Sequence, residues 1–137
     1  MKRLLFVVSL AVLIGIASAQ GSQQPKFSIA LDMPTFSWVS ANDDGSVTSL
    51  FGFNLALGAS YRSYFSPLGE NQGAGFWEVG TILLLDPYVG VGYDYRVGKS
   101  LYVGASIDLF PIHPFLYSGF GVYYTLIPNL HIGLYLF

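Results

Sequence analysis

The sequence predicts an all-β protein: a small antiparallel up-and-down transmembrane β-barrel, most simply of eight strands. Apolar and polar residues alternate with a period of two over most of the chain, which is the pattern of a strand with unlike faces. Only 10% of residues are charged while 17% are aromatic, and such a composition suits a surface in contact with lipid. The glycines of the predicted strands fall on the less apolar face, as expected for a narrow barrel interior.

Residues 1–19 predict a cleaved secretory signal peptide. Lys2 and Arg3 form a positive segment, residues 4–16 form an apolar run of 13 residues, and the small-residue sequence Ala-Ser-Ala follows as a cleavage site. An uncleaved helical anchor would need about 20 apolar residues. We therefore expect residues 20–137 to form a single barrel domain after cleavage.

The charge balance and the lack of cysteine exclude several classes of protein. Without the signal peptide the chain has four Lys and Arg against eight Asp and Glu, so it has no basic stripe for nucleic acid. Because there is no cysteine, disulfides, Cys zinc sites and a lipid-modified Cys are excluded. No cofactor is implied, since His113 and His131 alone are a weak metal signal.

The first strands are delimited by proline and by turn residues. Apolar residues are odd-numbered before Pro34 and even-numbered after it, so we expect separate strands at 26–33 and 35–40. A turn at residues 43–45, Asp-Asp-Gly, leads into the third strand. That strand is predicted over 47–65, where the alternation continues for 19 residues.

The middle strands are predicted at 76–85 and 87–97. Asp86 and Pro87 separate them, but the alternation continues through both residues, so one bent strand is the alternative. The count would then fall to six, and an incomplete sheet would need other copies of the chain to cover its edges.

An internal repeat predicts the last hairpins. Residues 87–104 and 116–133 match at a constant offset of 29 residues, and each copy is typical of a strand, a tight turn and a strand. The turns are predicted at residues 98–99 and 128–129. The remaining predicted strands are 100–110, 115–127 and 129–137.

The inward face of the predicted strands collects the charged side chains. A buried charge must be paired or hydrated, and an eight-stranded interior is filled by its own side chains. We therefore predict a hydrogen-bonded plug, with a charged constriction in a pore as the alternative. Its members are Asp32, Arg62, Glu78, Asp94, Arg96 and Asp108.

The outward face carries aromatic residues near strand ends, where amphipathic rings lie at a membrane interface. These are Trp38, Tyr61, Phe65, Trp77, Tyr93, Tyr95 and Tyr124.

With its signal peptide, its alternating strands of about ten residues and its final Tyr135-Leu136-Phe137, the chain resembles a small bacterial outer-membrane β-barrel protein. The resemblance implies that Tyr135 and Phe137 belong to the signal read by the barrel-assembly machinery. It also implies outer-membrane lipid, that machinery and periplasmic chaperones as partners.

Several functions remain open at this point. A structural or interaction barrel with a filled interior is the first hypothesis, a small passive pore the second, and a soluble exported barrel that binds an apolar ligand the third. An enzyme is not expected. The only catalytic group that can be assembled is His113 with Ser118 and Asp108, and nothing in the sequence fixes their geometry. A helical membrane protein is a further alternative, since residues 109–137 contain no Lys, Arg, Asp or Glu.

Overall fold

The computed structural model describes residues 24–111 and 126–137, and these form a closed antiparallel barrel in which each strand pairs with the next. The predicted all-β class, the closed antiparallel up-and-down barrel and the number of eight strands are confirmed. The strands are β1 (Phe27–Leu31), β2 (Phe36–Ala41), β3 (Val47–Asn54), β4 (Gly58–Leu68), β5 (Gly73–Ile82), β6 (Asp86–Val97), β7 (Leu101–Leu109) and β8 (Leu126–Leu136). The predicted signal peptide lies outside the described residues.

Pairing between β1 and β8 closes the barrel. Phe27 pairs with Leu136 and Leu31 with Ile132. Phe27 pairs directly with Leu136 of β8 across the closing pair. Followed the other way around the barrel, from each residue to its partner on the next strand, the path from Phe27 reaches β8 at Leu126, ten residues from Leu136. This displacement is the shear of the barrel, and it requires strands that are inclined to the barrel axis.

The two phases of the alternation occupy opposite sides of the wall. In β6, for example, Tyr88, Gly90, Asp94 and Arg96 are buried, while the odd-numbered residues between them are exposed. No outward position in the described strands carries a charge. The described charged residues lie inside the barrel or in the segments at its ends.

The predicted strand 47–65 is a hairpin, so that part of the prediction was wrong. β3 ends at Asn54, a turn occupies 55–57, and β4 begins at Gly58. Asn54 closes the turn, because its Oδ1 accepts a hydrogen bond from Gly58 N–H at 2.9 Å and its Nδ2 donates to Thr81 O at 2.9 Å. The turn has three apolar residues, so the alternation of apolar and polar residues continues through it. The sequence pattern therefore does not show that the chain reverses direction there.

A second turn of this kind joins β5 to β6. The turn occupies 83–85, and Asp86 and Pro87 begin β6 instead of separating two strands. The bent single strand considered for 76–97 is therefore wrong, and so is the count of six.

The turn predicted at 128–129 was also wrong. β8 runs without interruption from Leu126 to Leu136, and Pro128 lies opposite Ile107 of β7. The pairing between β1 and β8 begins only at Ile132, so Pro128 lies in a part of β8 that has β7 as its paired neighbour in the described chain. Proline is tolerated at such an edge because no ladder donor is needed there. Residues 115–125 of the predicted seventh strand lie outside the described residues.

No helix in the described residues is long and apolar enough to cross a membrane. The helical alternative for 109–137 is wrong for the described part of that segment, since Leu109 ends β7 and 126–136 form β8.

The two ends of the barrel differ in their turns. One end, here called the charged end, has the connections 42–46, 69–72 and 98–100, with the exposed residues Lys26, Asp43, Asp44, Glu70 and Lys99. The turn predicted at 43–45 lies there. Asp44 accepts hydrogen bonds from Ser46 N–H at 2.9 Å and Ser46 Oγ–H at 2.6 Å, and these bonds lower the pKa of the Asp44 carboxyl.

The opposite end, here called the leucine end, has the connections 32–35, 55–57 and 83–85. Leu57, Leu83 and Leu84 adopt the left-handed backbone conformation, with φ of 56°, 52° and 59°. This conformation costs roughly 1–2 kcal/mol for a residue with a Cβ atom. At the charged end the left-handed positions are held by Gly45, Asn71 and Gly98, the residue types that tolerate the conformation best.

Candidate functional site

One arginine organises the polar interior. Arg62 of β4 is completely buried, and its Nε donates to Glu78 Oε2 at 2.7 Å. Its Nη1 donates to Asp94 Oδ2 at 3.2 Å, and its Nη2 donates to Asp32 Oδ2 and, at 3.2 Å, to Met33 O. The guanidinium is a rigid fork of donors. A single side chain therefore crosses the lumen and connects β4 with β5, β6 and the turn after β1.

His131 brings the last strand into the same cluster. Its Nε2 lies 2.5 Å from Asp94 Oδ1 and 3.4 Å from Arg62 Nη1, and its Nδ1 lies 3.4 Å from Asp32 Oδ2. A hydrogen bond from the ring to Asp94 requires the proton to be on Nε2. The histidine thus joins β8 to β6, while its Nδ1 lies near Asp32 without a hydrogen bond among the described residues.

Each carboxylate of the cluster also has a neutral hydrogen-bond donor. Tyr64 OH donates to Asp94 Oδ2 at 2.6 Å, Tyr88 OH donates to Glu78 Oε1 at 2.7 Å, and Asn129 Nδ2 donates to Asp32 Oδ1 at 2.9 Å. Three carboxylates face one guanidinium, so these donors supply stabilisation that the single positive charge does not. The full cluster comprises Asp32, Arg62, Tyr64, Glu78, Tyr88, Asp94, Asn129 and His131, and we call it the interior cluster.

Aromatic rings fill the lumen beside the interior cluster. The Arg62 guanidinium carbon lies 4.0 Å from the centroid of the Phe76 ring, a cation–π geometry. Tyr102 stacks on Tyr135 with centroids 4.7 Å apart, and the Arg96 guanidinium carbon lies 5.0 Å from the Tyr135 centroid.

Arg96 lies apart from the carboxylates with which the sequence analysis grouped it. Its Nε and Nη2 donate to Lys99 O at 3.0 and 2.6 Å, and its Nη1 donates to Gly45 O at 2.8 Å. These carbonyls belong to two turns of the charged end. The side chain therefore fastens those turns across the mouth of the barrel.

Asp108 also lies apart from the interior cluster. It is buried, and its Oδ2 lies 3.5 Å from Ser106 Oγ. The structure thus brings together four of the six predicted interior charges, namely Asp32, Arg62, Glu78 and Asp94.

The inward glycines make room for these groups, as the sequence analysis expected. A Cβ atom on Gly104 would lie 2.0 Å from Asp94 Oδ1 and 2.5 Å from His131 Nε2. A Cβ atom on Gly133 would lie 2.4 Å from the Tyr102 ring. These glycines thus lie where large buried groups need space, so the described interior around the cluster is closely packed.

Six of the seven predicted interface aromatics are exposed on the outer wall: Trp38, Tyr61, Phe65, Trp77, Tyr93 and Tyr95. The seventh, Tyr124, lies outside the described residues. Tyr95 is near the charged end, where its hydroxyl donates to Asn71 O at 3.1 Å. Trp77 lies opposite Val91, in the middle of β5, so the expected position near a strand end does not hold for this ring.

The outer wall also has a groove of about 280 Å³ across β1 and β2. Its lining is mainly apolar and outward: Phe27, Ile29, Phe36, Trp38, Phe53 and Leu136, with Ser28 and Ser37.

The two residues of the predicted assembly signal differ in their surroundings. Tyr135 is buried in the lumen, with its hydroxyl 3.4 Å from Tyr64 OH. Phe137 follows β8 and packs, partly buried, against the interior core.

Sequence reasoning missed His131, Tyr64, Tyr88 and Asn129 as members of the interior cluster. The alternation in the sequence already indicates that these side chains face inward. The predicted site, however, includes only formally charged residues. A buried carboxylate requires donors, and inward tyrosines at alternating positions were the signal that could have found them.

No group of three or more His, Asp and Glu side chains in residues 24–111 and 126–137 is arranged to hold a metal ion. His113 and Ser118 of the catalytic group considered above lie outside the described residues. Comparison with protein-family models, with curated proteins and with solved structures finds no match to this chain.

Proposed function

We propose that this protein is a small outer-membrane β-barrel with a structural or interaction role and a filled polar interior. The observation that carries the proposal is the reversed polarity of the wall. The outward positions of the described strands carry no charge, while the charged side chains of those strands are buried: Arg62, Glu78, Asp86, Asp94, Arg96 and Asp108. A closed barrel of this polarity satisfies its backbone internally and offers lipid an apolar surface.

The lengths of the strands support this proposal. β3 to β8 contain 8 to 12 residues, and a strand tilted in a barrel needs about 9–11 residues to span a bilayer. The proposed location in the bacterial outer membrane rests on the signal peptide predicted at residues 1–19 and on the resemblance of Tyr135 and Phe137 to an assembly signal. The barrel-assembly machinery and periplasmic chaperones are the proposed partners in assembly.

The filled interior favours a structural or interaction role over a passive pore. Arg62 and the groups bound to it connect opposite walls, so ions would have to displace a hydrogen-bonded cluster. A soluble barrel with an apolar cavity is disfavoured for a different reason. Its apolar phase would have to line the lumen, whereas side chains such as Phe51 and Val91 face outward.

Two measurements on the refolded chain test the proposal. Far-UV circular dichroism and gel mobility before and after boiling should show a β-rich, heat-modifiable species in detergent or lipid that is not soluble without them. The same protein in planar bilayers should give no discrete conductance steps. Steps whose ion selectivity changes on Arg62→Gln would establish the pore, and a folded protein that is soluble without detergent would exclude the membrane barrel.

A further inference from the structure

His131 presents both of its ring nitrogens to carboxylates. Its Nε2 lies 2.5 Å from Asp94 Oδ1 and its Nδ1 lies 3.4 Å from Asp32 Oδ2, and all three side chains are at most 1% exposed. A neutral imidazole has one N–H group and one lone pair. With its proton on Nε2, a neutral ring would therefore direct the lone pair of Nδ1 towards Asp32, and no donor among the described residues bonds to that nitrogen.

Both carboxylates already act as acceptors. Asp32 accepts hydrogen bonds from Arg62 Nη2 at Oδ2 and from Asn129 Nδ2 at Oδ1. Asp94 Oδ2 accepts from Tyr64 OH and from Arg62 Nη1. This is the pattern of ionised carboxylates, which accept at both oxygens and have no proton to donate. The lone pair of Nδ1 thus has no donor, whereas an N–H group at Nδ1 would point at a carboxylate.

The balance of charge around the ring also favours a second proton. Three carboxylates of the interior cluster face the single guanidinium of Arg62, and like charges repel strongly where water is excluded. Arg62 Nη1, 3.4 Å from the ring, opposes a further positive charge but is outnumbered. Strands β2 and β3 carry no ionisable residue. The ionisable groups that surround the ring, directly or one side chain away, are Asp32 after β1, Arg62 and Tyr64 of β4, Glu78 of β5, Asp94 of β6, Tyr102 and Asp108 of β7 and Tyr135 of β8.

The contact between His131 and Asp32 crosses the line along which the barrel closes. The pairing of β1 with β8 ends at Leu31 and Ile132. Asp32 is the next residue after Leu31, and His131 is the residue before Ile132. The two side chains therefore continue the closing pairing by one position, with charge in place of backbone hydrogen bonds.

We propose that His131 is a doubly protonated imidazolium in the closed barrel, where it bridges Asp94 of β6 and Asp32 beside β1, so that closing the barrel takes up a proton. A histidine in an unfolded chain is mostly neutral above about pH 6.5. Above that pH the closed barrel holds one proton more than the open chain, and its stability decreases as the pH rises. The barrel thus has a proton-dependent latch between its first and last strands.

Nitrogen NMR of the ring tests the protonation state directly. The variant His113→Gln leaves His131 as the only histidine, and its ring is labelled with ¹⁵N in the refolded chain. At pH 8 the folded barrel should show two protonated ring nitrogens with similar shifts, as in an imidazolium. The same chain in urea at pH 8 should show one protonated and one unprotonated nitrogen. A ring that is neutral in the folded barrel at pH 8 would overturn the proposal.

The pH dependence of folding tests the latch. Between pH 6 and pH 8 the folding equilibrium constant of the His113→Gln control, measured by urea titration, should fall by a factor that is roughly 20-fold larger than for His131→Gln, since only the control takes up this proton. Carboxylates that titrate contribute to both variants. An equal pH dependence would overturn the latch, and the ring resonances decide the question if His131→Gln does not fold. Both measurements concern the lumen, so a chain that is soluble without detergent would contradict the proposed function and not this inference.

Discussion

Arg62 concentrates the polar contacts of the interior in one side chain. Its guanidinium holds Glu78, Asp94 and Asp32 from a position with no exposure to solvent. Water cannot replace a lost partner there, so the cost of removing the arginine is the cost of leaving carboxylates buried and unpaired.

We expect Arg62→Met to lower the free energy of unfolding by about 3–5 kcal/mol, because it leaves three carboxylates without their shared cation. Denaturant titration of the refolded barrel measures the loss. The double variant Arg62→Met with Glu78→Gln should recover part of it, and Lys99→Met at the exposed charged end should change stability by less than about 0.5 kcal/mol. A loss below about 1 kcal/mol for Arg62→Met would show that water reaches the cluster.

Gly104 contributes by having no side chain, because a Cβ atom at this position would overlap with Asp94 and His131 where they meet. We expect Gly104→Ala to destabilise the barrel by about 1–3 kcal/mol through overpacking, as measured by the same titration. Gly75→Ala is the matched control, because its Cβ atom would lie 3.0 Å from the Phe65 ring on the outer wall and 3.7 Å from Gly92 O, an ordinary contact distance. Equal effects of the two substitutions would contradict the packed lumen.

At the scale of strands and turns, β8 is the element that differs most from its prediction. Proline followed by asparagine predicts a turn at residues 128–129, yet β8 continues through both residues. Whether a strand can continue through a proline depends on its pairing. Proline is excluded where both neighbouring strands are paired but is accepted at an edge. Sequence periodicity does not show which part of a strand is an edge.

Inserting one glycine tests the continuity of β8. Between Pro128 and Asn129 it would shift the register by one residue and turn His131 and Tyr135 outward, so we expect no heat-modifiable folded species. The same insertion between Gly98 and Lys99 lies in a turn and should be tolerated. Folding of both variants would mean that β8 is not continuous at Pro128.

These elements also show how far the sequence predicts the fold. Alternation predicts which face of β6 and β7 is buried, because one buried face leaves a period of two. It does not predict the reversals at 55–57 and 83–85, since three apolar turn residues maintain the same period. For the interior cluster, alternation identifies Arg62, Glu78 and Asp94 as inward, but it does not reveal that Arg96 binds turn carbonyls instead of a carboxylate. That choice depends on the inclination of the strands, which the pairing register determines.

At the scale of the whole molecule, the barrel separates its charges into two environments. The interior cluster is shielded by a closed wall, while the charges of the charged end are exposed to the solvent. Mobile ions screen exposed charges over about 8–10 Å at ordinary salt concentrations but act much less on buried pairs.

The free energy of unfolding should therefore change by less than about 1 kcal/mol when the salt concentration is raised from roughly 0.05 to 1 M, since exposed pairs contribute little and buried pairs are not screened. Denaturation by urea, which adds no ions, is the appropriate measurement. A decrease of several kcal/mol would mean that ions enter the lumen, and would favour a pore.

The pairing between β1 and β8 determines when the barrel can close during folding. Phe27 pairs with Leu136, so β1 and β8 cannot pair until nearly every residue between them has been synthesised. A pairing so distant in sequence has a high entropic cost and forms slowly, and until it forms both sheet edges are open to other chains. A newly made chain therefore remains unclosed until both strands are available, and the time between synthesis and this closure is when it is most exposed to aggregation.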